Sequence, residues 1–249
     1  KLPIHTFILN LFKNMKRLIS LLTPFNTFST KVRLGPPEDG GYVCTVDMLD
    51  KCSCIMTYGV GNDIRYEEDF VAKYDKPAFL FDHTTGATAW EKPNMKFIAE
   101  GLGLGENCKE WYTHKEELNI SKDILLKIDI EGEEFAYFNT TDHSKLKDNV
   151  VGLFLEIHWI DNISNQEKAI QLIEKLNENF LLCHIHGNSW GDLFQYNGFE
   201  IPKVLELTFV NKKLISEYEI DTQSYPIQGL DISNCPHRED YQLNFLNSI

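Results

Sequence analysis

Ile124-Leu125-Leu126-Lys127-Ile128-Asp129-Ile130-Glu131-Gly132-Glu133-Glu134-Phe135 decides how the rest of the chain is read. It opens with an apolar run of strand length, long enough for a buried strand and too short for a helix of its own. Acidic residues and a glycine end the run, and a helical pattern follows. In an open α/β sheet this is the carboxyl end of a strand, where ligands bind. On an extended strand Asp129 and Glu131, two apart, would share one face.

The remaining sequence supplies the other parts of such a sheet. Cys54-Ile55-Met56-Thr57-Tyr58 reads as a first buried strand, followed by the turn Gly59-Val60-Gly61-Asn62 and a helix over 63–74. A second strand, 77–81, ends in Asp82, about twenty residues after the glycines, the spacing of an acid that holds ribose hydroxyls. His83, Thr84 and Thr85 follow, and either threonine can cap a helix containing Trp90. A third strand, 95–100, runs into Gly101-Leu102-Gly103-Leu104-Gly105, either a plain connector or a wall beside an adenine ring. Beyond the central stretch, 149–159 is a buried run in which Glu156 and His158 share a face. An amphipathic helix spans 165–179, and strands are expected at 180–185 and 203–210. The expected fold is α/β, a doubly wound sheet of about seven strands with a late antiparallel hairpin and an added N-terminal helix. The expected divisions are an amphipathic helix and linker over 1–31, one domain over 32–223, and a tail over 224–249 packed on it.

Composition narrows the function. With 249 residues, 43% hydrophobic, the chain can build one substantial core, and its formal net charge of -13 argues against a nucleic-acid binder with a broad basic footprint. The six cysteines, Cys44, Cys52, Cys54, Cys108, Cys183 and Cys235, form no CxxC pair. Reduced thiols in a reducing compartment are expected, hence a cytoplasmic location. The stretch 7–22 has apolar residues at helical spacing but is too short and too charged to span a bilayer, so no integral membrane segment is expected. The chain opens on Lys1, which suits a piece of a longer polypeptide with other domains.

The cofactor follows from the glycine loop. A third glycine is missing, and a pyrophosphate on the helix start would meet Asp63, Glu67, Glu68 and Asp69, negative against negative. A positively charged, phosphate-free nucleoside such as S-adenosylmethionine fits better than a nicotinamide dinucleotide. Gly59, Gly61, Asn62 and Asp82 are the expected cofactor contacts, with Glu67, His83 and Asp129 beside them.

The order of motifs resembles the FkbM-like S-adenosylmethionine-dependent methyltransferases. Lys127-Ile128-Asp129-Ile130-Glu131-Gly132 with Glu134 is similar to their fourth-strand motif. Arg33-Leu34-Gly35 with Asp39-Gly40-Gly41-Tyr42-Val43 resembles their entry segment, and residues 58–64 with Glu67-Glu68 their cofactor loop. Phe81-Asp82-His83-Thr84 is similar to their second-strand acid and its loop. The coverage is about 33–211. Thr57 and Asp63 depart from the family pattern, standing where an acid and a third glycine are usual. The resemblance implies a Rossmann-like methyltransferase that methylates oxygen, acting on a sugar or glycan hydroxyl. It extends to the methyltransferase portions of multidomain viral glycan-modifying proteins, which would place the chain in a host cytoplasm.

A sugar hydroxyl is a poor acid, so its methylation needs a base or a metal. His158 is the expected base, oriented by Glu156 or Asp129, with His186 the second candidate. Alternatively, Asp129, Glu156 and His158 hold a magnesium or manganese ion. Trp111, Trp159, Trp190 and Tyr196 are available to stack on a sugar face. Two rival readings use the same sheet: a nicotinamide-dependent oxidoreductase, and a non-catalytic binding domain that keeps the fold.

Overall fold

The computed structural model describes residues 4–85 and 92–247, with the side chains of residue 13 onward in the first helix. The helix expected around Trp90 lies outside the described residues. Seven strands form the central sheet: β1 (Cys54–Tyr58), β2 (Ala78–Phe81), β3 (Met95–Ile98), β4 (Ile124–Ile128), β5 (Val150–Ile157), β6 (Phe180–Gly187) and β7 (Leu205–Asn211). Their spatial order is β6-β7-β5-β4-β1-β2-β3. The first five run parallel, while β7 pairs antiparallel with both β5 and β6. This is a doubly wound α/β sheet of Rossmann-like form, with its late strands antiparallel as the sequence indicates.

The central strands are buried along their whole length. Every residue of β1, β4, β5, β6 and β7 is shielded from solvent, the condition under which a parallel strand reads as a continuous apolar run. Lys127 is the exception in β4. Its ammonium lies 4.8 Å from the Tyr42 ring centre and 4.0 Å from the Glu67 carboxylate, so the buried charge has both an aromatic face and an acid.

Seven helices are described: α1 (Ile4–Leu21), α2 (Val46–Lys51), α3 (Arg65–Tyr74), α4 (Trp111–Glu117), α5 (Glu134–Thr140), α6 (Ser144–Asn149) and α7 (Ile163–Leu176). The last is capped by Asn162, whose side chain accepts from the Ser164 amide. Met15, Leu18 and Leu22 enter the same core as Ala169, Ile173 and Leu176, so the N-terminal helix shares a core with the sheet layer. Tyr225, Leu243 and Phe245 of the terminal tail enter that core as well. Among the described residues no helix is long and apolar enough to cross a membrane.

The sheet positions the site through its order. From β1 the chain winds outward to β2 and β3 on one side and to β4 and β5 on the other. The crevice therefore opens where β1 and β4 lie side by side, between Gly59 and Asp129.

Candidate active site

Gly59 leaves β1 with φ +77°, and a Cβ there would lie 1.5 Å from the Asp129 carbonyl oxygen. Only glycine permits this approach of two backbones. The first turn and the end of β4 thus meet at the switch point and leave a cavity of about 730 Å³. Gly59, Gly61, Asn62, Asp82, His83 and Asp129 line it, as does the loop Gly101-Leu102-Gly103-Leu104-Gly105. That loop, open to two readings in the sequence, is a wall. A second hollow of about 800 Å³ lies between the hairpin strands Leu193–Tyr196 and Phe199–Pro202 and the tail, and shares no lining residue with the first.

Asp82 ties the two sides of the cavity together. Its Oδ2 accepts from the Gly61 amide at 2.9 Å, and its Oδ1 accepts from the Thr84 amide and hydroxyl and the Thr85 amide. Burial pushes this carboxyl up, but the hydrogen bonds prevail and hold it below the usual carboxylate range. Oδ2, with one bond, keeps a lone pair for a ligand hydroxyl. The His83 ring packs over Gly101, where a Cβ would lie 2.3 Å from Nδ1.

The acids at the start of α3 are not the bare negative field that their spacing indicates. Asp63 is paired with Arg65, which also reaches Glu38; Glu68 is paired with Lys92, and Asp69 with Lys73. Glu67 lies outside the cavity lining. It is buried behind it, accepts from the Thr57 hydroxyl at 2.7 Å and neighbours Lys127. Simple repulsion of phosphate is therefore weaker than the sequence suggests. A different feature opposes phosphate: the Arg65 amide at the start of α3 already donates to Asp63 Oδ1 at 2.9 Å, so a backbone donor that a pyrophosphate would use is taken.

The chemistry-bearing side chains gather beyond Asp129. The strand β4 ends at Ile128, so Asp129 and Glu131 are not strand neighbours. Glu131 and Gly132 turn the chain with φ +56° and +100°, yet Glu131 Oε2 still comes 3.6 Å from His158 Nε2. Glu156 Oε1 lies 3.9 Å and Asp129 Oδ1 4.0 Å from the same nitrogen. On the other side of the ring, Nδ1 lies 3.1 Å from Glu134 Oε1. That oxygen also accepts the amides of Ile130 and Gly132, so Glu134 is a carboxylate that fixes the whole turn. Its role was available in the sequence as an acid in the first turn of α5, five residues after Asp129. Asp129, Glu134 and His158 each offer a ligand atom, all within 4.8 Å of one another.

Electrostatics differ along this cluster. Burial lowers the affinity of His158 for a proton, but Glu134, Asp129 and Glu131 outweigh it and the ring is raised above the ordinary histidine value. Burial lifts Asp129 to about 6, against the pull of Lys127 and His158, and lifts Glu156 further. Two carboxyls this close favour sharing one proton. Glu156 is fixed by Tyr42, whose hydroxyl donates to Oε2, and by Asn188, whose amide donates to Oε1.

His186 is not brought into the cavity. Its Nδ1 lies 3.0 Å from Glu206 and its Nε2 2.9 Å from Asp240 of the tail. Although burial pulls the ring down, the two acids raise it to about 10. With both ring nitrogens engaged by acids and the ring outside the cavity lining, His186 has no free nitrogen for an acceptor proton, which corrects the expectation of His186 as a base. Trp111 is a core residue, 1% exposed, and not a stacking platform. Trp159 and Trp190 are 49% and 55% exposed, and the Trp159 indole lies across Gly132.

No protein-family model matches the sequence, and no curated protein matches it. The structure is similar to a fibrillarin pre-rRNA processing protein of Methanococcus jannaschii, with 12% identity and a TM-score of 0.40 over 66% of this chain and 68% of that one. It is also similar to a candidate rRNA methylase of Clostridium thermocellum, with 12% identity and a TM-score of 0.38 over 66% and 88% of the two chains. Likeness at this level carries no argument about the activity of this chain.

Proposed function

We propose that this chain is an S-adenosylmethionine-dependent O-methyltransferase acting on a hydroxyl of a sugar or glycan. The observation that supports it is the continuity of two sites: a glycine-walled cavity of nucleoside size containing Asp82, and Asp129 in its wall 4.0 Å from His158. In this reading Asp82 Oδ2 accepts from a ribose hydroxyl, the loop over 101–105 flanks the adenine, and Asp129 and Glu131 face the sulfonium end. His158 takes the acceptor proton at Nε2, in the tautomer that its contact with Glu134 selects. Trp159, its ring centre 5.6 Å from that of His158, serves as a stacking face for a sugar. A net charge of -13 disfavours an RNA acceptor.

Calorimetry with S-adenosylmethionine and with NAD, followed by mass spectrometry of a glycan panel, tests the reading. Saturable binding of the first, none of the second, and a 14-dalton gain on a glycan are expected. NAD binding without S-adenosylmethionine binding establishes the oxidoreductase instead. Cofactor binding without transfer to any acceptor supports the non-catalytic domain. His158→Ala is expected to abolish transfer and leave cofactor affinity within about twofold.

A further inference from the structure

We propose that the second hollow, between the hairpin strands Leu193–Tyr196 and Phe199–Pro202 and the tail, binds uncharged sugar units of the acceptor. The binding chemistry stands on the lining of the hollow; only its use as an acceptor subsite rests on the methyltransferase reading.

The fold puts this hollow on the sheet edge that carries His158. β5 and β6 both pair antiparallel with β7, so they run the same way, and β5 runs parallel to β4. Gly187 therefore ends β6 on the side where β4 ends before Asp129, and the hairpin leaves from there. Both ends of the hairpin are tied to the neighbourhood of His158. On the way in, the Asn188 side-chain amide donates to Glu156 Oε1 at 2.8 Å, and its Oδ1 accepts from the Trp190 backbone amide at 2.9 Å. On the way out, the Lys203 carbonyl accepts from the Ile160 amide at 3.1 Å, one residue beyond Trp159. The tail closes onto the same loop: the Tyr241 hydroxyl donates to the Gly191 carbonyl at 2.8 Å, and Arg238 Nη1 to the Ser189 carbonyl at 2.9 Å.

The lining suits hydroxyls. At about 800 Å³ the hollow exceeds the nucleoside cavity of about 730 Å³, and a hexose is smaller than S-adenosylmethionine, so more than one ring fits. Gln195, Gln242 and Asn244 bring carboxamides, and Glu200, Glu239 and Asp240 bring carboxylates. Such groups pair donors with acceptors as neighbouring hydroxyls of a sugar require. Phe199 and Tyr241 add ring surface for the C–H face of a pyranose. Arg238 engages its described partners through Nη1 alone, which leaves Nε and Nη2 as donors.

Charge selects among sugars. Three carboxylates share the lining with one guanidinium, so a sialic acid, uronic acid or sulfated sugar is repelled. A basic ligand gains little, because two of the acids are already engaged: Asp240 Oδ1 lies 2.9 Å from His186 Nε2, and Glu200 accepts from Gln195 Nε2 at 3.0 Å.

The test is an array of neutral, sialylated, uronic-acid and sulfated oligosaccharides probed with the whole chain. Calorimetry with the strongest neutral glycan, its sialylated form and tetralysine follows, all without S-adenosylmethionine. Saturable binding of the neutral glycan is expected, about tenfold tighter than its sialylated form. Glu200→Ala and Gln242→Ala alter exposed positions. Each is expected to weaken glycan binding about fivefold, the loss of one hydrogen bond, with S-adenosylmethionine affinity unchanged. No binding of any neutral glycan, equal binding of acidic ones, tetralysine bound in their place, or full affinity in both variants overturns the proposal. Glycan binding without S-adenosylmethionine binding keeps this site and overturns the methyltransferase reading; the reverse result keeps that reading and overturns the site. In transfer assays both variants are expected to raise the acceptor KM and leave kcat unchanged, and an unchanged KM removes the acceptor role.

Discussion

The crevice and the buried region beside it are built from different materials. On the β1–β2 side the walls are backbone: Gly59 against the Asp129 carbonyl, the glycine loop over 101–105, and Asp82 holding three backbone amides. Behind the crevice, on the β5–β7 side and outside its lining, side chains form a buried network, with Tyr42 and Asn188 on Glu156, and His186 between Glu206 and Asp240. Asn234 joins Glu206 to Asp39 in the same network. The crevice is specified by shape, the network by charge balance. A cavity walled by backbone survives many side-chain changes but no added Cβ at its closest approach. A network of charges tolerates bulk poorly and tolerates loss of one partner still less.

The comparison can be broken at its strongest point. Gly59→Ala places a methyl inside the Asp129 carbonyl at positive φ, and we expect a loss of more than about 3 kcal/mol in chemical denaturation, with cofactor binding gone. A stable, cofactor-binding variant would mean that the two turns do not need their close approach.

On the network side, His186→Ala leaves Glu206 and Asp240 facing each other without their cation. We expect about 3–5 kcal/mol of lost stability, while a folded fraction binds cofactor as before. The same ring gives a pH signature. Its folded value, about 10, exceeds the unfolded value of about 6.5. Its contribution is therefore complete below about 6.5 and is lost as pH rises through about 10. Urea midpoints should fall over that window in the parent chain, and that part of the fall should vanish in His186→Ala.

Asp82→Ala sharpens the contrast from the backbone side. We expect S-adenosylmethionine affinity to drop by about 1–3 kcal/mol in calorimetry, the cost of polar groups left unpaired, with a smaller effect on stability. The gentlest probe is the pH profile of methyl transfer. With His158 raised above its ordinary value, the rate without added metal should climb about tenfold per pH unit below that value and then level. A profile flat from pH 6 to 8 would remove His158 as the base.

Glycine positions and apolar runs carried most of the architecture. Strands β1, β4 and β5 are mainly apolar and buried along their whole length, so their apolar runs locate them, and Gly59, Gly61 and Asp82 lie at the predicted strand ends. The network was not legible because its members, Asp39, Tyr42, Glu156, Asn188, Glu206, Asn234 and Asp240, come from separate segments with no common spacing. Asp63 misled for a local reason: its partner Arg65 stands two residues away, but only the turn brings the guanidinium back. The tail buries single side chains, Tyr225, Leu243 and Phe245, between polar ones, which leaves no period to read. Nor does a hairpin pattern in β6 and β7 reveal that β7 is inserted next to β5.

That insertion has a consequence for synthesis. Until residue 205 has left the ribosome, β5 and β6 are two long hydrophobic strands, each with a bare edge facing an empty slot. A chain stalled or cut in the interval would present both edges at once, each open to pairing with another chain.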